Sequence, residues 1–146
     1  MQDILHVQNV VSVVILAAMA ICDTKRKVLP GFVVIPFIFT GIITGVIYKS
    51  FEELILSCLP GILLLVMGLL TNEKIGFGDG LMTLGLGLWV RIGVLNIGIA
   101  VGMLLLGLFA VFVLICFRFM HRDTSGVRIP FIPFLLTGLL VGMAYA

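Results

Sequence analysis

The stretch ILHVQNVVSVVILAAMAIC, Ile4 to Cys22, runs directly into Asp23-Thr24-Lys25-Arg26-Lys27. The apolar part has no formal charge with His6 neutral, and as a helix it measures about 28 Å, close to the thickness of a bilayer's hydrocarbon core. A removable export signal has its basic residues before the apolar run and small residues after it. Here Asp3 precedes the run and the basic cluster follows it, the order of a retained membrane span.

The rest of the chain repeats the pattern. Apolar runs extend from Phe32 to Tyr48, Leu54 to Leu70, Ile92 to Phe117 and Ile129 to Ala146, and a shorter one from Gly80 to Val90. Of the 146 residues, 62% are hydrophobic and 11% charged, with a mean hydropathy of +1.33. Soluble domains carry about 25% charged residues, so a water-soluble enzyme is excluded. The expectation is an all-α integral membrane protein, a bundle of about six transmembrane helices forming a single domain over residues 1–146. The helix from Gly80 to Val90 is too short for a perpendicular crossing. The lipid bilayer is the implied partner, and a net charge of +2 gives no reason to expect nucleic acid.

Lys and Arg set the direction. With six spans and the amino terminus outside, the inner loops hold Lys25, Arg26, Lys27, Lys74, Arg118, Arg122 and Arg128, and the outer loops hold Lys49 and Arg91. Seven against two is the bias of a positive-inside protein. Merging the short segment with its neighbour would move Arg118, Arg122 and Arg128 to the outside and remove the bias, which favours six spans over five.

Gly41-x-x-x-Gly45, Gly98-x-x-x-Gly102 and Gly138-x-x-x-Gly142 each put two glycines on one helical face. Such faces let backbones approach closely, within the bundle or between copies in a homo-oligomer. Pro36 and Pro60 lie within apolar runs, and Pro30 at a loop exit. Cys22, Cys58 and Cys116 form no C-x-x-C pair and read as packing residues. No metal site and no cofactor are expected, since His6 and His121 have no acidic or cysteine partner at ligand spacing.

Two acids stand apart from the other five. Asp23 closes the first span, and Asp79 opens the short segment in Gly76-Phe77-Gly78-Asp79-Gly80. The topology, counted from Lys and Arg alone, puts both at the cytoplasmic ends of their helices. Singly, Asp23 could pair with Lys27 four residues on, and Asp79 could be a helix cap. Together, two carboxylates at one depth in so charge-poor a chain point to chemistry. Acids sharing a low-dielectric site cannot both ionise, so one remains a base while its partner remains a protonated acid. That division suits attack of water on a peptide carbonyl, with glycines admitting an extended substrate backbone.

Gly76-Phe77-Gly78-Asp79 has the form of the GxGD motif of intramembrane aspartyl proteases. More narrowly, the chain resembles the type IV prepilin peptidase family. The resemblance rests on Asp23 followed by Leu29-Pro30-Gly31, on the GxGD with Gly80 after it, on the glycine-rich Gly85-Leu86-Gly87-Leu88-Trp89, and on Pro130-Phe131-Ile132-Pro133-Phe134-Leu135 leading into the last span. It covers nearly the whole chain. It implies Asp23 and Asp79 as catalytic residues, Gly76, Phe77, Gly78 and Gly80 as motif support, and Pro30, Pro130 and Pro133 as structural positions. It also implies a prepilin or pseudopilin substrate, a cell-membrane location and cleavage of a basic leader at the cytoplasmic face. Gly31 stands where Asn is common, Ile132 where Gly is common, and Leu81 where Lys is frequent. The cytoplasmic C-x-x-C segment that many relatives carry for N-methylation has no counterpart, the pattern of a peptidase-only form. The competing reading is a small proton-coupled transporter or channel with Asp23 and Asp79 as a relay; acids near the bilayer midplane and internal repeats would favour it, and neither is visible.

Overall fold

A computed structural model describes residues 2–26, 30–71, 76–119 and 129–145. They form six helices and, among the described residues, no strand: α1 Gln2–Arg26, α2 Gly31–Tyr48, α3 Phe51–Leu70, α4 Phe77–Trp89, α5 Ile92–Phe119 and α6 Ile132–Tyr145. Four are long and apolar enough to cross a membrane, through Val7–Lys25 of α1 and the whole of α2, α3 and α5. The protein is therefore a helical membrane bundle, and its large exposed apolar side chains, such as Phe32, Phe39, Leu63, Leu104, Leu108 and Phe112, are those of a surface facing lipid.

Two helices are short. α4 has 13 residues and α6 has 14, each about 20 Å long. α4 begins one turn before the expected Gly80. The carbonyl of Gly76 accepts from Asp79 N at 3.0 Å and Gly80 N at 3.4 Å, which makes Gly76 the N-cap and draws Gly78 and Asp79 into the helix. At the other end, Val90 N–H closes on Leu86 O at 2.8 Å, and Leu95 N–H on Arg91 O at 3.0 Å starts α5 as a separate helix. Asp23 likewise does not end its helix, because α1 runs on to Arg26.

Without a solvent difference to drive helices together in lipid, close packing between small residues does much of the work. α3 and α4 run antiparallel with their backbones nearly touching. A Cβ on Gly80 would meet Leu65 at 2.9 Å, one on Gly61 would overlap the Leu84 backbone, and one on Gly87 would overlap Ser57 O. α5 and α6 repeat the arrangement: a Cβ on Gly102 would lie 3.0 Å from Phe134 O, and one on Gly142 2.5 Å from Val94 O. α2 lies parallel to α4, its Gly41 leaving room for Trp89. The Trp89 ring stacks on Phe37 at 5.6 Å, and its Nε1–H donates to Phe37 O at 2.9 Å. The three glycine faces read from the sequence are thus filled from within the chain. α4 is wrapped by its neighbours: Met82, Thr83 and Leu86 are fully buried, and Gly80, Gly85, Gly87 and Leu88 nearly so.

Lys49 does not simply face outward from the turn between α2 and α3. Its ammonium turns back onto the end of α4, donating to Gly87 O at 2.7 Å and Val90 O at 2.5 Å, with Ser57 Oγ at 3.5 Å. It satisfies carbonyls that a helix C-terminus leaves without partners. Burial pushes the ammonium below its ordinary value, partly opposed by the nearby Glu53 carboxylate.

Two expectations follow from this packing. Gly138→Val forces a side chain into Gly98 O and should cost about 1–3 kcal/mol in detergent thermal unfolding, whereas Gly107→Val, at an open position, should stay within about 0.5 kcal/mol of wild type. Lys49→Met orphans buried carbonyls and should cost about 1–3 kcal/mol near neutral pH. Since the folded chain releases the Lys49 proton at lower pH than the unfolded one, the unfolded chain holds more protons between that lowered value and 10.5. Stability owed to Lys49 therefore rises with pH in that window, and the gap between wild type and Lys49→Met should widen there.

Candidate active site

The buried residues of α1 recur at helical spacing: Gln8, Ser12, Leu16, Met19 and Ala20, then Asp23. One stripe faces the bundle, and Asp23 is its last member, 9% exposed. A carboxylate in the last turn of a helix sits at the unfavourable pole of that helix's dipole. Asp23 is offset by another helix. Its Oδ2 accepts from Ile132 N–H at 3.2 Å, and the Phe131 N–H also bonds to the carboxylate.

Phe131 is the N-cap of α6, since its carbonyl accepts from Phe134 N and Leu135 N, both at 3.1 Å. Pro130 and Pro133 have no N–H to offer. The α6 N-terminus therefore presents the two consecutive amides of Phe131 and Ile132, bracketed by imino residues, and both go to Asp23. The alternative of an Asp23 pair with Lys27 falls on a residue outside the described ones.

Asp79 sits in the first turn of α4, half-buried, at the favourable end of its own helix dipole. Its carboxylate lies back over the cap: a Cβ added to Gly76 would come within 2.6 Å of Asp79 Oδ2. Gly76 is thus needed by the acid itself, and Gly80 by the approach of α3. Thr83, fully buried one turn on, donates to Asp79 O at 2.8 Å. Phe77 opens the helix on an exposed position, and Gly78 is partly buried. Pro30 caps α2, its carbonyl accepting from Val33 N at 3.0 Å and Val34 N at 3.3 Å.

The helix register brings the two acids to one end of the bundle. In the parallel α2–α4 pair, a Cβ on Gly85 would meet Phe37 at 2.9 Å. Gly31 lies six residues before Phe37, and Asp79 six before Gly85, so the start of α2 and Asp79 are level to within about a turn. The four residue-to-residue steps from Arg26 to Pro30 reach at most about 14 Å, which keeps the end of α1 near the start of α2. α6 begins at the same end through its bonds to Asp23, and α1 packs against both α6 and α4. Asp23 and Asp79 therefore flank a shared end of the bundle, where α1 finishes and α2, α4 and α6 begin, with the antiparallel α3 and α5 also finishing there. Among the described residues, no three His, Cys, Asp or Glu side chains gather as a metal-holding group.

A family model for type IV leader peptidases matches residues 10–146. The chain belongs to the type IV leader peptidase family. No curated protein and no solved structure gives a match. Membership makes the protein a membrane protease of the leader peptidase kind. The matched span takes in all six helices except the start of α1, and with them both acids, the Gly76–Gly80 segment and the Pro130–Pro133 turn.

Several contributors to this leader peptidase's site had gone unread. The amides of Phe131 and Ile132 are backbone groups, invisible as residue types, although a Pro-x-x-Pro at a helix start announces them. Thr83, one turn after Asp79 in an apolar run, carries no motif that marks it. The spacing from Gln8 through Ser12, Leu16 and Met19 to Asp23 was open to reading as one inward stripe.

The Asp23 bond to α6 separates structure from chemistry. Asp23→Asn keeps an acceptor oxygen for Ile132 N–H and should stay within about 1 kcal/mol of wild type in thermal unfolding. Asp23→Leu strands the buried amides and should cost about 1–3 kcal/mol.

Proposed function

We propose that this protein is an aspartic endopeptidase that removes the short basic leader from prepilin-like or pseudopilin substrates at the cytoplasmic face of the cell membrane, with Asp23 and Asp79 activating water. The observation that carries the reading is the convergence of these two carboxylates on one end of the bundle, in a chain that belongs to a leader peptidase family. The inner-face assignment rests on the seven Lys and Arg residues assigned to the loops at that end.

The chemistry needs one ionised and one protonated carboxyl. The ionised one takes a proton from water as its oxygen attacks the scissile carbonyl carbon. The protonated one gives its proton to the carbonyl oxygen, yielding a neutral tetrahedral diol. Collapse of the diol breaks the C–N bond, one hydroxyl proton returns to the carboxylate that lost its own, and the amine leaves with the proton first taken from water. Both carboxyls end as they began. A substrate whose leader stays in the cytoplasm while the following apolar helix lies in the bilayer presents its cleavage point at this end of the bundle. Leader peptidase membership favours this reading over a proton relay for transport.

The test is incubation of the purified protein in detergent with a prepilin carrying its basic leader, followed by sequencing of the new amino terminus. Cleavage at the boundary between leader and apolar helix is expected. Asp23→Asn and Asp79→Asn should each reduce the rate by about 10²–10⁴-fold or more. A variant that cleaves at the wild-type rate removes that residue from the mechanism, and absence of cleavage by the wild type overturns the reading.

A further inference from the structure

We infer that the N-terminus of α6 is a positioning element for Asp23, acting through the backbone amide of Ile132. The inference rests on the aspartic reading above and adds a group that belongs to no side chain. Asp23 is nine-tenths buried, and its Oδ2 takes the Ile132 N–H at 3.2 Å across a sequence separation of 109 residues. The two acids also stand at opposite ends of their own helices. Asp79 is carried on the first turn of its own helix, where the dipole already favours a negative charge, while Asp23 is carried on the last turn of α1, where its own helix disfavours one.

A reacting carboxylate must hold its orientation to well under an ångström for proton transfer to compete. The side chain of Asp23 turns about two bonds, and the Ile132 amide restrains both by holding Oδ2. The bracketing prolines sharpen this. Pro130 and Pro133 supply no N–H, so the donor set at the turn is confined to Phe131 and Ile132, and Pro133 sets the backbone of a helix's first turn without removing a needed bond. α6 is anchored in turn: Ile132, Leu135 and Leu139 are fully buried, and the Gly98–Gly138 approach clamps the helix to α5. The position of the carboxylate is thereby tied to the rigid α5–α6 pair as well as to α1.

The experiment replaces the Ile132 peptide N–H by an ester oxygen in the full-length protein, using the α-hydroxy analogue of isoleucine, which keeps the buried side chain. Ile132→Pro is the genetic counterpart, since the first helical position accepts proline. Leu135→Ala, also fully buried on α6, measures lost packing alone. Initial rates of prepilin cleavage are resolved into kcat and KM. The ester and the proline variant should lower kcat by about 10–100-fold with KM within about twofold, the pattern of a misplaced reacting group. Leu135→Ala should lower thermal stability while holding kcat within about threefold.

If wild type cleaves and the ester form retains wild-type kcat, or loses no more than Leu135→Ala does, the positioning role is overturned and the protease reading stands. If wild type cleaves no prepilin, both are overturned. The amide of Ile132 also carries a spectroscopic signature. Its ¹⁵N–¹H resonance should move on Asp23→Leu and stay near its wild-type position on Leu135→Ala. A resonance indifferent to Asp23→Leu overturns the contact itself.

Discussion

The arrangement depends on α4 being too short. Thirteen residues give about 20 Å of helix where the hydrocarbon core needs about 30 Å, so neither end can rely on reaching water, and each must find polar partners within the protein. At the C-terminal end Lys49 folds back to donate to Gly87 O and Val90 O. At the N-terminal end Gly76 serves as cap and leaves space for the Asp79 carboxylate. The glycines at 61, 80 and 87 let so short a helix be held closely by α3.

The second short helix answers the first. α6 starts at the same end as α4, and its N-terminus faces Asp23, at the C-terminus of α1. Two acids are thus supported by two helix dipoles, one in line with its own helix and one borrowed from a neighbour. The difference matters electrostatically. A carboxylate next to its own N-terminus stays served wherever that helix goes, whereas Asp23 depends on α1 and α6 staying together. The α5–α6 glycine contacts, far from any chemistry, maintain the frame in which Asp23 is held.

Most of the architecture was legible because it rests on patterns that local sequence carries. Apolar runs and a lysine-arginine count were enough for six helices, and the shared end for Asp23 and Asp79 emerged from charge alone. What escaped has a common physical cause. The Gly80 boundary was placed by hydrophobicity, but a helix starts where its first carbonyl finds a partner, and Gly76 O accepts from residues that hydrophobicity ignores. Lys49 was counted as a loop charge, since a charge count records identity and not the direction in which a long side chain turns. The Asp23 acceptor role joins positions 23 and 132 through a main-chain donor, and no residue type marks a backbone amide. The glycine motifs were readable as close-approach faces, yet whether they close on this chain or on a second copy is a property of helix order in space.

Burying Asp23 is costly in a bundle otherwise held by apolar contact, and leucine at 23 would remove that cost only by stranding the α6 amides. The inward stripe of α1 contains Leu16 and Met19 at earlier positions, where no amide of another helix needs an acceptor. The stripe instead ends in a carboxylate whose acceptor capacity is matched to amides that two prolines isolate. Neutral N–H donors orient a carboxyl through its acceptor oxygen while adding no full charge of their own. Firm geometry of this kind is what the role proposed for Asp23, acid and base in a single turnover, requires.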